Sequence, residues 1–270
     1  MQSQREKHPP ICWSSPTTWV LLGIPAVALV GIVLWIFGHV SMSADIGWSM
    51  LTQYGIQMFL IAAFYHRQLA HPTYDFRFKR PSQFALGVLA TTTFQGGPLW
   101  WAAIHRQHHR ADIDPKVKDP HSDKLGFWWC HVGWLLAGDT TPNLEYVKDL
   151  TKYPELRLID RFHYIPPVLL GLIWALAYGT VGIFAFALTI VVVHNCTWFI
   201  NSLAHLYNFK PGKGCWPMIP FSFGEWTHWW HHANPMRLWQ GGRWFQRLWD
   251  PAAWGVYLLR SLGLVTKIRA

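Results

Sequence analysis

The chain has 270 residues, of which 51% are apolar, 19 are tryptophan and only 14% are charged. Soluble domains carry about 25% charged residues, so this composition argues against an ordinary soluble fold. The formal net charge of +9 is compatible with nucleic acid, anionic lipid or an acidic partner, and its placement along the chain decides among them.

In chain order, residues 1–17 are polar and proline-containing and are expected to form a flexible N-terminal segment, with residues 18–270 as one integral-membrane domain. A spanning helix needs about 20 mostly apolar residues. The stretch 19–40, "WVLLGIPAVALVGIVLWIFGHV", meets this without a charge, and 46–65 forms a second span. The stretch Phe84–Ile104 is also apolar but is broken by "QGGP" at 95–98, which predicts an interfacial segment. Residues 165–178 and 181–205 give two more spans without one Asp, Glu, Lys or Arg, turning at Gly179-Thr180. The expectation is an all-α membrane protein with four transmembrane helices and a cap built from 66–164 and 206–270.

Arg5 and Lys7 precede the first span, thirteen Lys and Arg lie between spans two and three, and eight follow span four. The two short connections carry none. All positive charge then falls on one side of the membrane, which places both termini and the cap in the cytoplasm. This accounts for the net charge through membrane orientation and leaves no separate basic patch for nucleic acid. The four cysteines, Cys12, Cys130, Cys196 and Cys215, lack CxxC spacing and read as free thiols.

Nine of the fifteen histidines fall into four groups: His66 and His71 in "HRQLAH", His105, His108 and His109 in "HRQHH", His205 in "NSLAH", and His228, His231 and His232 in "HWWHH". All four sit at one membrane depth. Positions i, i+3 and i+4 share a helix face, so each HxxHH box points three imidazoles one way. His66 and His71 diverge on an ideal helix, and converge if that helix ends near Arg67. The other six, His8, His39, His121, His131, His163 and His194, read as polar residues reaching toward water. Neutral imidazole suits iron, zinc or copper. Nine ligands exceed the needs of one ion and fit two metals with open positions for water or oxygen. Asp114, Asp119 and Glu225 lie near enough in sequence to fix imidazole tautomers. A metal transporter would place its histidines near mid-span, and a haem protein needs one facing pair per haem.

The three boxes, with "DPHSDKLGFWWCHVGWLL" from 119, "TWFINSLAHLY" from 197 and "GEWTHWWHH" from 224, resemble the membrane fatty-acid desaturases of the Δ9 type over roughly residues 46 to 268. The resemblance implies a four-span helical protein whose cytosolic cap holds two non-haem iron ions on the nine histidines, with Asn201 reaching one metal through a water. It implies Thr197 and Trp198 as walls of a kinked acyl tunnel. Dioxygen would be the co-substrate, and a separate ferredoxin or small haem cytochrome, with its reductase, the electron donor. The implied reaction places a cis double bond, at Δ9, in a saturated acyl chain on coenzyme A, lipid or acyl-carrier protein. A hydroxylase or acetylenase on the same centre is the alternative. The chain departs from the animal enzymes at Trp229, where they carry Asn, and in "QGGPLWWAAIHRQHH", which looks more like bacterial relatives. With 270 residues taken up by the core, no fused haem domain is expected.

Overall fold

The computed structural model describes residues 9–138, 140–206 and 214–269. Helix α1 spans Pro16–Ile36, with Pro16 in its first turn, where a missing N–H costs nothing. It is apolar on all sides and leaves Leu29, Val30, Trp35 and Ile36 exposed, as a helix facing lipid does. Its buried stripe, Leu21, Ala28 and Gly31, packs against the helix that carries Phe184. A Cβ on Gly31 would lie 2.4 Å from that of Phe184, so only glycine admits this approach. Residues 1–8 lie outside the described residues. Beyond them, the expected flexible segment is tied down: the Cys12 N–H donates to the Leu136 carbonyl at 2.8 Å, and Thr18 Oγ1 donates to the Cys12 carbonyl.

Helix α2, Ala44–Phe59, does not end where the apolar stretch ends. It continues as a π-helix through Leu60–Ala70, with every residue of that run buried. A short strand, β1 (Tyr74–Phe76), leads to α3 (Lys79–Thr91) and α4 (Pro98–Ala111). The break between them falls at the predicted "QGGP": Phe94 and Gly96 adopt positive φ, and Pro98 opens α4. Asp160, on α5 (Pro154–Arg161), accepts from the N–H groups of Leu99 and Trp100 at 2.9 and 3.0 Å, satisfying donors that a helix start leaves free.

Helix α6, Ile165–Phe199, leaves helical geometry at Gly179 (φ 60°, ψ −144°), the predicted turn. The chain reverses there. Gly171 lies against the ring of Phe186, a pair that a straight helix would hold roughly 22 Å apart. A π-turn, Ile200–Ala204, closes α6, and the short α7 (His228–Ala233) and α8 (Pro251–Ser261) complete the cap. By length and composition, two helical stretches among the described residues are able to cross a membrane: Pro16–Ile36 and the 40-residue Ile165–Ala204.

The architecture is mostly helical but not all-α. Strand β2 (Val265–Ile268) pairs antiparallel with β1, Tyr74 opposite Ile268. Strands of three and four residues carry too little alternation to be read from sequence. This sheet pins the C-terminus onto the central core, where Tyr65, Leu69, Tyr74, Ala102, Leu238 and Val256 pack beneath the histidines.

Candidate metal centre

The π-helical stretch of α2 sets the first histidine pair. In a π-helix each N–H reaches back five residues, so positions five apart lie one turn apart on the same face. The His71 N–H donates to the His66 carbonyl at 2.9 Å, and the two rings stand 5.3 Å apart. The expected helix end near Arg67 is therefore replaced by a wider helix, and the two imidazoles converge all the same. Helix α4 delivers His105, His108 and His109 on one face, the π-turn after α6 delivers His205, and α7 delivers His228, His231 and His232.

The nine side chains sort into two groups. His66, His71, His105, His109 and His231 bring their nitrogens within 4.8 Å of one another, and so do His108, His205, His228 and His232. The Nε2 atoms converge: His66 to His231 at 2.9 Å, His105 to His71 at 3.0 Å, His231 to His109 at 2.8 Å, His205 to His228 at 2.8 Å and His108 to His232 at 3.2 Å. The groups adjoin, with the His109 and His232 rings stacked 4.1 Å apart.

Carboxylates behind the rings fix the tautomers. His66 Nδ1 lies 3.0 Å from Glu225 Oε2, His108 Nδ1 lies 3.0 Å from Asp119 Oδ1, and His232 Nδ1 lies 2.5 Å from Asp112 Oδ2. An ionised carboxylate only accepts, so each of these Nδ1 atoms carries the proton and each Nε2 presents a lone pair. His108 and His232 then face each other lone pair to lone pair, which is repulsive unless a cation lies between. Burial, together with repulsion from neighbouring histidines, holds His105, His109, His231, His228 and His232 below the ordinary imidazole value, which favours neutral rings able to donate lone pairs. A metal ion fits. Adjacent nitrogens on an octahedral ion with bonds of about 2.1 Å lie about 3.0 Å apart, the spacing found here.

Glu225 is itself anchored. Arg67, fully buried, donates to Glu225 Oε1 at 2.9 Å and to Asp250 Oδ1 at 2.6 Å. Burial alone would raise Glu225, but His66 and Arg67 outweigh it and hold the carboxyl below its usual value. Asp119 behaves likewise: burial raises it, and His121 and His108 bring it below the usual carboxylate range.

A cavity of about 650 Å³ reaches the centre at His105 and Asn201. Thr197 and Trp198 line it, with Trp101 and Ile104. Gln95 Nε2 donates to Thr197 Oγ1 at 3.0 Å, holding the α3–α4 break against α6. Residues of the first turns of α1, Val20 and Leu21 among them, form another part of the wall.

No family model matches the chain. It is 30% identical over 215 residues, 76% of each chain, to an sn-1 stearoyl-lipid 9-desaturase of Anabaena variabilis. It is 29% identical, over 76% of this chain and 74% of the relative, to an sn-2 palmitoyl-lipid 9-desaturase of Nostoc sp. (strain 36). A probable acyl-CoA desaturase of Schizosaccharomyces pombe is 31% identical over 76% of this chain and 45% of its own. The chain belongs to the Δ9 fatty-acid desaturase family.

The desaturase is thus an oxidoreductase, and its two histidine groups are compatible with metal binding. All nine histidines singled out in the sequence come together, and Asn201, Thr197 and Trp198 meet at one cavity. Of the three carboxylates expected behind the rings, Asp119 and Glu225 are there. Asp114 is not: it sits 3.7 Å from Arg110, and Asp112 takes the place beside His232. Asp112 and Asp114 follow α4 only two residues apart and cannot be told apart by distance in sequence alone. His121 belongs to the site's surroundings rather than to a solvated edge. It is buried, its ring lies 4.2 Å from that of His108, and burial, with His108, lowers it to about 4. Its short link to Asp119 in "DPH" is the signal that could have found it. Arg67 had no such signal, because its partners Glu225 and Asp250 lie far along the chain.

Proposed function

We propose that this desaturase uses dioxygen to place a cis double bond, at Δ9, in a saturated acyl chain, at a centre of two non-haem irons. The observation that carries this reading is the sorting of nine imidazoles into groups of five and four beside an apolar cavity. Iron with dioxygen supplies an oxidant strong enough to remove hydrogen from an unactivated methylene. Overall, the acyl chain gives up two hydrogens, a redox partner gives up two electrons with two protons from solvent, and dioxygen leaves as two waters.

The residues supply placement. His66, His71, His105, His109 and His231 would hold one iron and His108, His205, His228 and His232 the other, with Asn201 reaching one of the two through a water. Glu225, Asp119 and Asp112 keep three imidazoles in the ligating tautomer. Thr197, fixed by Gln95, and Trp198 bend the acyl chain so that two adjacent methylenes face His105 and Asn201. Residues 18–270 form the membrane domain, with crossings at 19–40, 46–65, 165–178 and 181–205 and the centre in the cytoplasmic cap. The reversal at Gly179 supports counting Ile165–Ala204 as two of those crossings. The electrons come from a separate small redox protein.

Expression in a host of defined fatty-acid profile tests this. Gas chromatography should show a new cis-monounsaturated acid with the wild type and none with His228→Ala. A hydroxylated or alkynyl product would keep the centre and overturn the assigned reaction.

A further inference from the structure

The carboxylates behind the ligating rings differ in one respect: two are buried or half-buried, and Asp112 opens to solvent. Its side chain is 46% exposed, against 5% for Glu225. Around it the surface has a definite character. Ile113, the next residue, is 76% exposed, and Met236, four residues beyond His232, is 41% exposed. Arg110, Lys116, Lys118 and Arg237 are exposed on the same two segments. These segments are brought together by the contact between Asp112 and His232. The loop is ordered rather than incidental: Gln107 Nε2 donates to the Lys118 carbonyl at 2.8 Å, folding 112–118 back against α4, and Asp114 is engaged by Arg110. Four cations, Arg110, Lys116, Lys118 and Arg237, stand against Asp112 and Asp114, so the two segments carry a net positive charge.

We propose that the surface formed by these two segments, which exposes Ile113 and Met236 together with Arg110, Lys116, Lys118 and Arg237, is where an acidic one-electron carrier protein docks and where electrons pass inward through Asp112 and His232. The inference rests on the metal-centre reading given above. An apolar centre with a charged rim is the anatomy of a transient protein interface, and the rim charge sets partner choice and encounter rate. The route inward is short, one hydrogen bond and one imidazole ring. His232 belongs to the four-histidine group and stacks at 4.1 Å on His109 of the five-histidine group, so one route serves both. Each docked carrier is oxidised by one electron and leaves. Two such encounters supply the two electrons of the reaction.

The test uses the full-length enzyme in lipid nanodiscs, with an acidic plant-type two-iron ferredoxin and a small acidic haem cytochrome as probes. The variant is Lys116→Glu, Lys118→Glu, Arg237→Glu. The wild type should bind at least one probe with an affinity that falls as salt rises. The variant's Kd should rise on the order of ten-fold or more, mostly through slower association. Its metal content and its reduction by dithionite should match the wild type. Unchanged affinity for both probes in a variant that holds its metal would overturn the proposal. So would binding of both probes by neither protein. Absence of metal from the wild type would instead sink the underlying reading of the centre and is scored separately by metal analysis.

Discussion

The two histidine groups are held in opposite ways. Behind the five-histidine group stands a buried chain of charge, from His66 through Glu225 and Arg67 to Asp250, which also accepts from the Ala253 N–H at the start of α8. Behind the four-histidine group stand Asp119, 21% exposed, and Asp112, 46% exposed. One group is tied to the buried core of the cap and the other to carboxylates that reach its surface. In the proposed centre this difference would separate two tasks: keeping ligand geometry fixed, and giving the centre a way to exchange charge with the outside.

The largest break in this contrast should come from Arg67→Met. It leaves Glu225 and Asp250 buried without a counter-charge, and losing one partner of a buried ion pair costs about 3–5 kcal/mol. Thermal unfolding in detergent should show a steep loss of melting temperature, whether or not metal is supplied. Glu225→Gln should act on the centre more than on the fold. Removing a carboxylate behind a ligating histidine typically costs about 10–100-fold in metal affinity, to be read by equilibrium titration with a competing chelator.

Acidification sharpens the contrast from the proton side. His105, His109 and His231 are neutral when folded and regain an ordinary value of 6.5 when unfolded. Below 6.5 the unfolded chain therefore binds more protons, so the stability they contribute is full above that pH and is lost as pH falls. Melting temperature and retained metal should both decline from about pH 6.5 downward. A flat profile to pH 5 would contradict the neutral assignment. The smallest effect is expected from Asp112→Asn, because solvent replaces part of what that exposed carboxylate does. Metal affinity should fall only a few-fold, less than in Glu225→Gln.

Legibility in the sequence follows local periodicity. The boxes on α4 and α7 are read directly, because i, i+3 and i+4 share a face in any α-helix. His66 and His71 are not, since five-residue spacing makes sense only in the π-helix that the buried run 60–70 adopts, and no residue type announces that helix. The turn at Gly179 and the break at "QGGP" are legible because glycine and proline act locally. What sequence does not show is long-range pairing: Arg67 with Asp250, Gln95 with Thr197, and Tyr74 with Ile268. The choice of Asp112 over Asp114 belongs with these, since the deciding partner, His232, lies 120 residues away.

In the proposed centre, each of the two adjoining groups of imidazoles holds one iron. Metal analysis of the purified wild-type enzyme, quantified per chain by mass spectrometry, tests it most directly. Two irons per chain are expected, with a fall in iron content in both His105→Ala and His228→Ala, one variant for each group. A single ion per chain, or zinc in place of iron, would contradict it.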